Sequence, residues 1–76
     1  MSDKIAGMWY GQAIDGEKLR SLRKERSLSQ AELAARAGTT QATISELERG
    51  LRRVQYRTTR RLASALGVEP KELLKS

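Results

Sequence analysis

A short helix pattern in the middle of the chain, closed by a glycine, constrains the fold most. Ser29 and Glu32 have the spacing of a capping box, in which each side chain satisfies a backbone amide at a helix start. Gly38 supplies the positive-φ position at which helices commonly end. The spacing therefore predicts a helix over residues 30–37, which is too short to be stable unless it packs on something else.

A second helix pattern follows almost at once. Thr40 is its N-cap candidate and Gly50 its terminator, and Ile44 and Leu47 fall at helical spacing on one face. Ala34 falls where the two helices would cross, and a larger side chain there would push them apart. Two short helices joined by a few residues that include a glycine describe a helix-turn-helix.

Similar signals predict helices on both sides of this unit. Asp15 is an N-cap candidate for a first helix over about residues 16–26. Thr58 can cap a fourth helix that Gly67 closes, and Pro70 can occupy the first position of a fifth. The apolar set is rich in Leu and Ala and poor in Val and Ile, which argues against a sheet. The predicted fold class is all-α, with five helices.

The beginning of the chain does not share this pattern. Residues 1–13 show no clear period and are predicted to be a flexible or loosely docked arm, ahead of a domain over residues 14–76. The arm contains three consecutive large apolar side chains, Met8, Trp9 and Tyr10. They could pack on the domain, pack across a dimer, enter a DNA groove, or belong to a plain disordered tail.

Composition excludes several classes of protein. The chain has no Cys and no His, so thiolate and imidazole metal sites are absent, and so is the commonest general base. We therefore expect no enzyme, no metal and no cofactor, and no small-molecule site is evident. Without a long apolar run or a secretory signal, we expect no membrane segment and a cytoplasmic location. A net charge of +6 on 76 residues favours a polyanionic partner.

The stretch GEKLRSLRKERSLSQAELAARAGTTQATISELERG, followed by RRLASALGV, resembles the lambda-repressor and Cro-like helix-turn-helix family. The resemblance covers roughly residues 14–74. It implies a compact five-helix lambda-repressor-like fold and transcription regulation by a homodimer on a palindromic operator. Ser27 stands where this family commonly has Gly, so the turn before the second helix is expected to be slightly strained.

The recognition helix, residues 41–49, is expected to read base edges in the major groove of double-stranded DNA. Gln41 can pair with adenine, Ala42 can touch a thymine methyl, and Glu46 can accept from a cytosine amino group. The resemblance also places Gln30 at the DNA, beside Gln41 and within reach of a hydrogen bond to it. The candidate base-reading residues are Gln30, Gln41, Ala42, Ser45 and Glu46.

A dense run of arginines follows the recognition helix. It favours contact with the DNA backbone, and one of these side chains could enter a narrow minor groove. The alternative is an ordinary solvated face, which applies most strongly to Arg60 and Arg61. The candidate phosphate and minor-groove residues are Thr40, Thr43, Arg49, Arg52, Arg53 and Arg57.

Two further sets of residues have predicted structural roles. Arg23 and Glu48 lie on the apolar stripes of their helices, and by resemblance they match a buried ion pair; the alternative is two separate surface charges. The resemblance also suggests dimer contacts, although the two leucines among them could instead close the monomer core. The candidate dimer contacts are Val54, Tyr56, Leu73 and Leu74.

A protein-interaction module is the rival hypothesis. In that case the helical body would bind a protein partner such as a toxin, and DNA binding would be secondary. The polar side chains expected at the start of the recognition helix, beside an arginine-rich loop, favour DNA, because a protein-binding face would more naturally expose aromatic residues.

Overall fold

Four α-helices form the body of the protein. The computed structural model describes residues 11–75, so the contacts suggested for Met8, Trp9 and Tyr10 lie outside the described residues. The helices are α1 (Gly16–Glu25), α2 (Gln30–Ala37), α3 (Gln41–Glu48) and α4 (Tyr56–Leu66), followed by a 3-10 helix (Pro70–Leu73). No helix among the described residues is long and apolar enough to cross a membrane.

The ends of α2 and α3 are set by the local chemistry that the sequence predicts. The Ser29 hydroxyl accepts from the Glu32 amide at 3.0 Å, and the Ser29 amide donates to the Glu32 carboxylate at 2.8 Å. Gly38 is left-handed, with φ of 70°. The Thr40 hydroxyl accepts from the Thr43 amide at 3.2 Å and so caps α3. The predicted helix-turn-helix is therefore confirmed.

Two predicted helices differ from the structure. The prediction that Thr58 caps the fourth helix is wrong: α4 begins at Tyr56, and the Thr58 and Thr59 amides donate to the Gln55 carbonyl. Gln55 is the N-cap residue of α4, and no side chain caps this helix. The predicted fifth helix is a single 3-10 turn, so the structure has four α-helices within residues 11–75 and not five.

A small sheet, which the all-α prediction did not include, pairs the start of the described chain with the loop that follows α3. Strand β1 (Gln12–Ala13) pairs antiparallel with β2 (Arg53–Val54). On the other side of the same segment, the Asp15 amide donates to the Leu73 carbonyl at 2.8 Å, and the Lys75 amide donates to the Ala13 carbonyl at 3.0 Å. Residues 12–13, placed in the arm by the sequence analysis, thus form part of the folded body.

The core fills the space between the helices with aliphatic side chains. α2 packs on both α3 and α4, and α1 packs on α3. At Gly16 the approach is especially close, because a Cβ there would meet the Glu48 carbonyl and lie 2.6 Å from the Leu47 carbonyl oxygen. The fully buried apolar side chains are Leu19, Leu33, Ile44, Leu47, Leu62, Leu66 and Leu73.

Candidate DNA-binding surface

Helix α3 turns one face into the core and leaves its first residues exposed. Ile44, Leu47 and Glu48 are buried, whereas Gln41 and Ala42 are exposed. Because the buried face is anchored along its length, the exposed residues are held on a rigid element. The amide of Gln41 and the methyl group of Ala42 are therefore available to the edges of base pairs, as a major-groove reader requires.

The polar residues one turn further along α3 lie beside an arginine from the following loop. Arg52 Nη1 is 3.1 Å from Glu46 Oε1 and 3.4 Å from Thr43 Oγ1. Glu46, Thr43 and Ser45 are each half-buried. The guanidinium offsets the charge of the Glu46 carboxylate, which reduces the repulsion that this carboxylate would meet near DNA phosphates. The structure thus brings together three of the candidates, Thr43, Glu46 and Arg52.

The remaining arginines of the run are distributed over different parts of the surface. Arg49 Nε donates to the Ser45 carbonyl at 3.4 Å, so this side chain lies along α3. Arg53 Nη1 lies 3.4 Å from the Gly11 carbonyl, next to the small sheet. Arg57 lines an open cleft along α4 together with Arg60 and Arg61. Arg49 and Arg52 are therefore associated with the recognition helix, and Arg57 faces a different cleft.

A second cleft, of about 320 Å³, separates the first half of α3 from the start of α4. Its lining is polar and includes Thr39, Thr43, Arg52, Arg53 and Thr58. Two arginines and three threonine hydroxyls suit an anionic, hydrogen-bonding partner such as a sugar–phosphate backbone. This cleft adjoins the recognition helix, which places groups that suit a DNA backbone next to the candidate base-reading residues.

Glu48, the last residue of α3, is the centre of a buried polar cluster. Arg23 Nε donates to Glu48 Oε2 at 2.6 Å, and Arg23 Nη2 donates to Glu48 Oε1 at 3.1 Å. The third nitrogen of the same guanidinium, Nη1, donates to the Leu28 carbonyl at 2.9 Å. One arginine on α1 therefore holds both the end of the recognition helix and the turn that leads into α2.

The ionisation of this cluster is shifted toward its charged state. Burial by itself would raise the pKa of the Glu48 carboxyl, but hydrogen bonds from Arg23 and Gln30 and the charge of Arg23 outweigh it and lower that pKa. The hydrogen bond to Glu48 raises the pKa of Arg23. The pair is therefore ionised at neutral pH, and it joins α1 to α3.

Gln30 is also a member of this cluster. Its Nε2 donates to Glu48 Oε1 at 3.1 Å. Sequence reasoning placed Gln30 at the DNA beside Gln41, but in the structure its amide group is bonded to the buried carboxylate. One N–H is thus engaged, and Oε1 and the second N–H are the groups left for DNA or for Gln41.

The four candidate dimer residues have different environments. Val54 and Leu73 are buried in the core of the single chain, and Leu74 is half-buried. Tyr56 is 51% exposed, and the neighbouring Leu51, which sequence reasoning did not single out, is 62% exposed. Leu73 therefore closes the monomer core, which was the alternative to its role as a dimer contact. Among residues 11–75, Tyr56 and Leu51 are the large apolar side chains that are exposed to a second protein.

Comparison with known proteins agrees with the helix-turn-helix fold. The helix-turn-helix family HTH_3 matches residues 19–73. Control protein C.BamHI of Bacillus amyloliquefaciens is 40% identical over 60 residues, which is 78% of this chain and 74% of that protein. The restriction-modification controller protein C.AhdI of Aeromonas hydrophila has a structure with TM-score 0.74 and 41% identity, covering 78% of this chain and 86% of that one.

The P22 c2 repressor, solved in complex with the synthetic operator 9T, gives a TM-score of 0.77 at 32% identity. The match covers 82% of this chain and 94% of that one. With a helix exposed at its start and a basic cleft beside it, the fold and site define a helix-turn-helix DNA-binding regulator of transcription. The chain belongs to the helix-turn-helix family HTH_3, of the lambda-repressor and Cro type.

Proposed function

We propose that this protein binds a palindromic operator as a homodimer, with one copy of α3 in the major groove of each half-site. The observation that carries the proposal is the exposure of Gln41 and Ala42 at the start of a helix whose other face is fully anchored. In dimeric helix-turn-helix proteins the two half-sites lie about one helical turn apart, roughly 10 base pairs. Because an operator is part of the DNA, we expect the protein in the cytoplasm of a bacterial cell.

Within each half-site, the residues take different roles. Gln41 reads adenine through two hydrogen bonds, and Ala42 contacts a thymine methyl. Glu46, held by Arg52, accepts from a cytosine amino group, and Ser45 is the remaining base-reading candidate. Thr40, Thr43, Arg49, Arg52, Arg53 and Arg57 bind the DNA backbone or the minor groove.

The dimer would use the exposed apolar side chains beside β2. Leu51 and Tyr56 lie at the two ends of the loop that follows the recognition helix. Their exposure on so small a body favours burial against a second copy. The half-buried Leu74 can extend this contact, whereas Val54 and Leu73 would support it from within the core.

Selection of bound duplexes from a random DNA pool, at about 0.15 M salt, tests the proposal. An enriched palindrome with half-sites one turn apart is the expected result. A single enriched half-site would retain base reading and exclude the homodimer on a palindrome. Weak binding that is sensitive to salt and shows no enrichment would reduce DNA to a nonspecific partner.

We also propose that the regulated genes include the one that encodes this chain, as part of a restriction-modification system. The support is the resemblance to two controller proteins, C.BamHI and C.AhdI, at 40% and 41% identity. A reporter placed behind the DNA upstream of this gene should change in output as the protein is supplied. An unchanged output, with the protein confirmed to be present, would contradict the proposal.

A protein-interaction role is the second candidate function. The observation that favours it is the same pair of exposed apolar residues, Leu51 and Tyr56. Sedimentation of the purified protein alone separates the two uses of this surface. A concentration-dependent dimer assigns these residues to self-association, whereas a monomer at all concentrations leaves them for a different protein.

A further inference from the structure

The buried Glu48 carboxylate is bound by two arginines, so its immediate surroundings keep an excess of positive charge. Arg23 donates through Nε and Nη2, and Arg20 Nε lies 3.3 Å from Glu48 Oε1. The side chain of Glu48 is fully buried, and that of Arg23 is nearly so. One carboxylate and two guanidinium groups leave a net charge of about +1 at this position. That charge is carried by the accessible member of the group, Arg20.

Arg20 differs from Arg23 in its exposure and in its free donors. Its side chain is 48% exposed. Within residues 11–75, the contact between Nε and Glu48 is the polar contact that this guanidinium makes. The edge formed by Nη1 and Nη2 is therefore available, and this edge has the geometry that binds two oxygens of a phosphate or carboxylate.

The position of Arg20 relative to Gln30 indicates which anion it meets. Arg20 Nε and Gln30 Nε2 bond the same oxygen, Glu48 Oε1, at 3.3 and 3.1 Å. The guanidinium and the carboxamide are therefore neighbours. Gln30 is the first residue of α2 in the helix-turn-helix, and Glu48 closes the recognition helix. The free edge of Arg20 thus lies at the junction of the two helices that engage DNA.

We propose that Arg20 binds a phosphate of the DNA backbone and that the buried Glu48 carboxylate positions its guanidinium to do so. Holding Nε on Glu48 restricts the rotation of a long side chain before DNA arrives, which lowers the entropic cost of the contact. The phosphate supplies the negative charge that the cluster lacks. Such a contact fixes the register of the protein on the duplex and carries no sequence information of its own.

This inference rests on the DNA-binding mode proposed above, and its test is independent of operator choice. Arg20→Gln is compared with Lys18→Gln, a matched loss of one positive charge on the same helix. Lys18 is exposed and lies two residues away, which is about 200° around the helix. Binding of each protein is measured over a range of salt concentrations, on the selected operator and on an unrelated duplex.

A lost phosphate contact has a defined signature. The slope of log affinity against log salt should become shallower by about 0.9 for each bound subunit of Arg20→Gln, which is about 1.8 for the homodimer, on both duplexes. Raising salt from 0.05 to 0.2 M should therefore weaken wild-type dimer binding about 12-fold more than it weakens binding by this variant. Lys18→Gln should keep the wild-type slope. Arg20→Lys retains the charge but not the two-pronged edge, so it should keep most of the slope and bind more weakly than wild type.

Equal slopes and affinities for Arg20→Gln and Lys18→Gln would overturn the inference and leave Arg20 as a structural partner of Glu48. Thermal melts of the variants verify that each one is folded at the temperature of the binding measurement. If wild type shows no operator preference, the proposed function fails, yet the slope on the unrelated duplex still decides whether Arg20 contacts phosphate. The two failures are thus distinguishable.

Discussion

Arg23 and Glu48 form a two-pronged ion pair, with Nε 2.6 Å from Oε2 and Nη2 3.1 Å from Oε1, between helix α1 and the last residue of the recognition helix. A carboxylate at a helix C-terminus is normally unfavourable, because the helix dipole is negative there. The guanidinium compensates for this charge, and it also bonds the Leu28 carbonyl in the turn before α2. The pair thus sets the position of α3 relative to the rest of the protein.

Removing the carboxylate should therefore destabilise the fold. Glu48→Ala leaves the guanidinium of Arg23 buried without its partner, and breaking a buried pair in this way costs about 3–5 kcal/mol. For a domain of this size, each kcal/mol lowers Tm by about 4–8 °C. Glu46→Ala, which removes a half-exposed carboxylate from the same helix, is the control and should change Tm little. A Glu48→Ala melt that matches wild type would contradict the structural role of the pair.

Stability should fall in acid through the same carboxyl group. The pKa of the Glu48 carboxyl is lowered in the folded state, so its contribution to the free energy of unfolding is full above the unfolded-state pKa of about 4.3. That contribution is lost as pH falls through the folded-state pKa. Denaturant unfolding at pH 7, 5, 4 and 3 measures this loss, which reaches at most about 1.4 kcal/mol per pH unit for one group.

Glu48→Gln should be less stable than wild type at pH 7 and less dependent on pH below 5. Glu32 needs its own variant, because hydrogen bonds from the Ser29 amide and hydroxyl also lower its pKa. Glu32→Gln measures how much of the stability lost in acid comes from the capping box of α2. If Glu48→Gln loses as much stability between pH 5 and 3 as wild type does, the buried carboxylate is not the source.

Ser27, between α1 and α2, should be replaceable by glycine with a gain in stability. Its φ is 56°, and it is the one residue other than glycine with a positive φ in the described part of the chain. That conformation costs a residue with a Cβ about 1 kcal/mol, whereas glycine adopts it freely. Ser27→Gly should therefore raise Tm by several degrees. Ser27→Ala is the matched control, because it removes the hydroxyl and keeps the Cβ; a gain of equal size in both variants would assign the effect to the hydroxyl.

The parts of the fold that follow from local chemistry were predictable from the sequence. The capping box of Ser29 and Glu32, the left-handed Gly38 and the cap at Thr40 each depend on residues within one turn of each other. Their spacing is visible in the chain itself, and the bounds of α2 agree with the prediction over residues 30–37.

Elements that depend on distant backbone pairing were not predictable in this way. Strands β1 and β2 have two residues each, which is too short to show an alternation of apolar and polar side chains. The close approach at Gly16 is likewise set by the carbonyl groups at the end of α3, more than thirty residues away. A glycine in the first turn of a helix carries no signal of such a contact.

At the candidate site, the sequence predicted the types of the exposed residues but not all of their hydrogen-bond partners. The exposed Gln41 and Ala42 follow from helical periodicity. The attachment of Gln30 to Glu48 and the contact of Arg52 with Glu46 depend on how the helices and the following loop pack. Arg20 was overlooked as well, although its spacing of three residues from Arg23 places both on adjacent parts of one helix surface.

Gln41 should determine the base preference at one position of each half-site. Gln41→Ala removes the two hydrogen bonds expected with adenine, and each such two-pronged pair contributes about 1–3 kcal/mol of discrimination. We therefore expect the variant to bind about 5- to 150-fold more weakly for each half-site of the selected operator. It should also tolerate any base pair at one position of each half-site. Because Gln41 is exposed and α3 is capped by Thr40, the fold should be unaffected.

Arg52→Gln is the contrasting variant, because its role is assigned to the DNA backbone. It should weaken binding to all duplexes and make the salt slope shallower by about 0.9 for each bound subunit, whereas Gln41→Ala should keep the wild-type slope. Repeating the selection from a random pool with both variants separates the two effects. An unchanged base preference for Gln41→Ala would remove Gln41 from the reading residues. A changed preference for Arg52→Gln at the position read by Glu46 would instead show that Arg52 acts by holding that carboxylate, as their 3.1 Å contact allows.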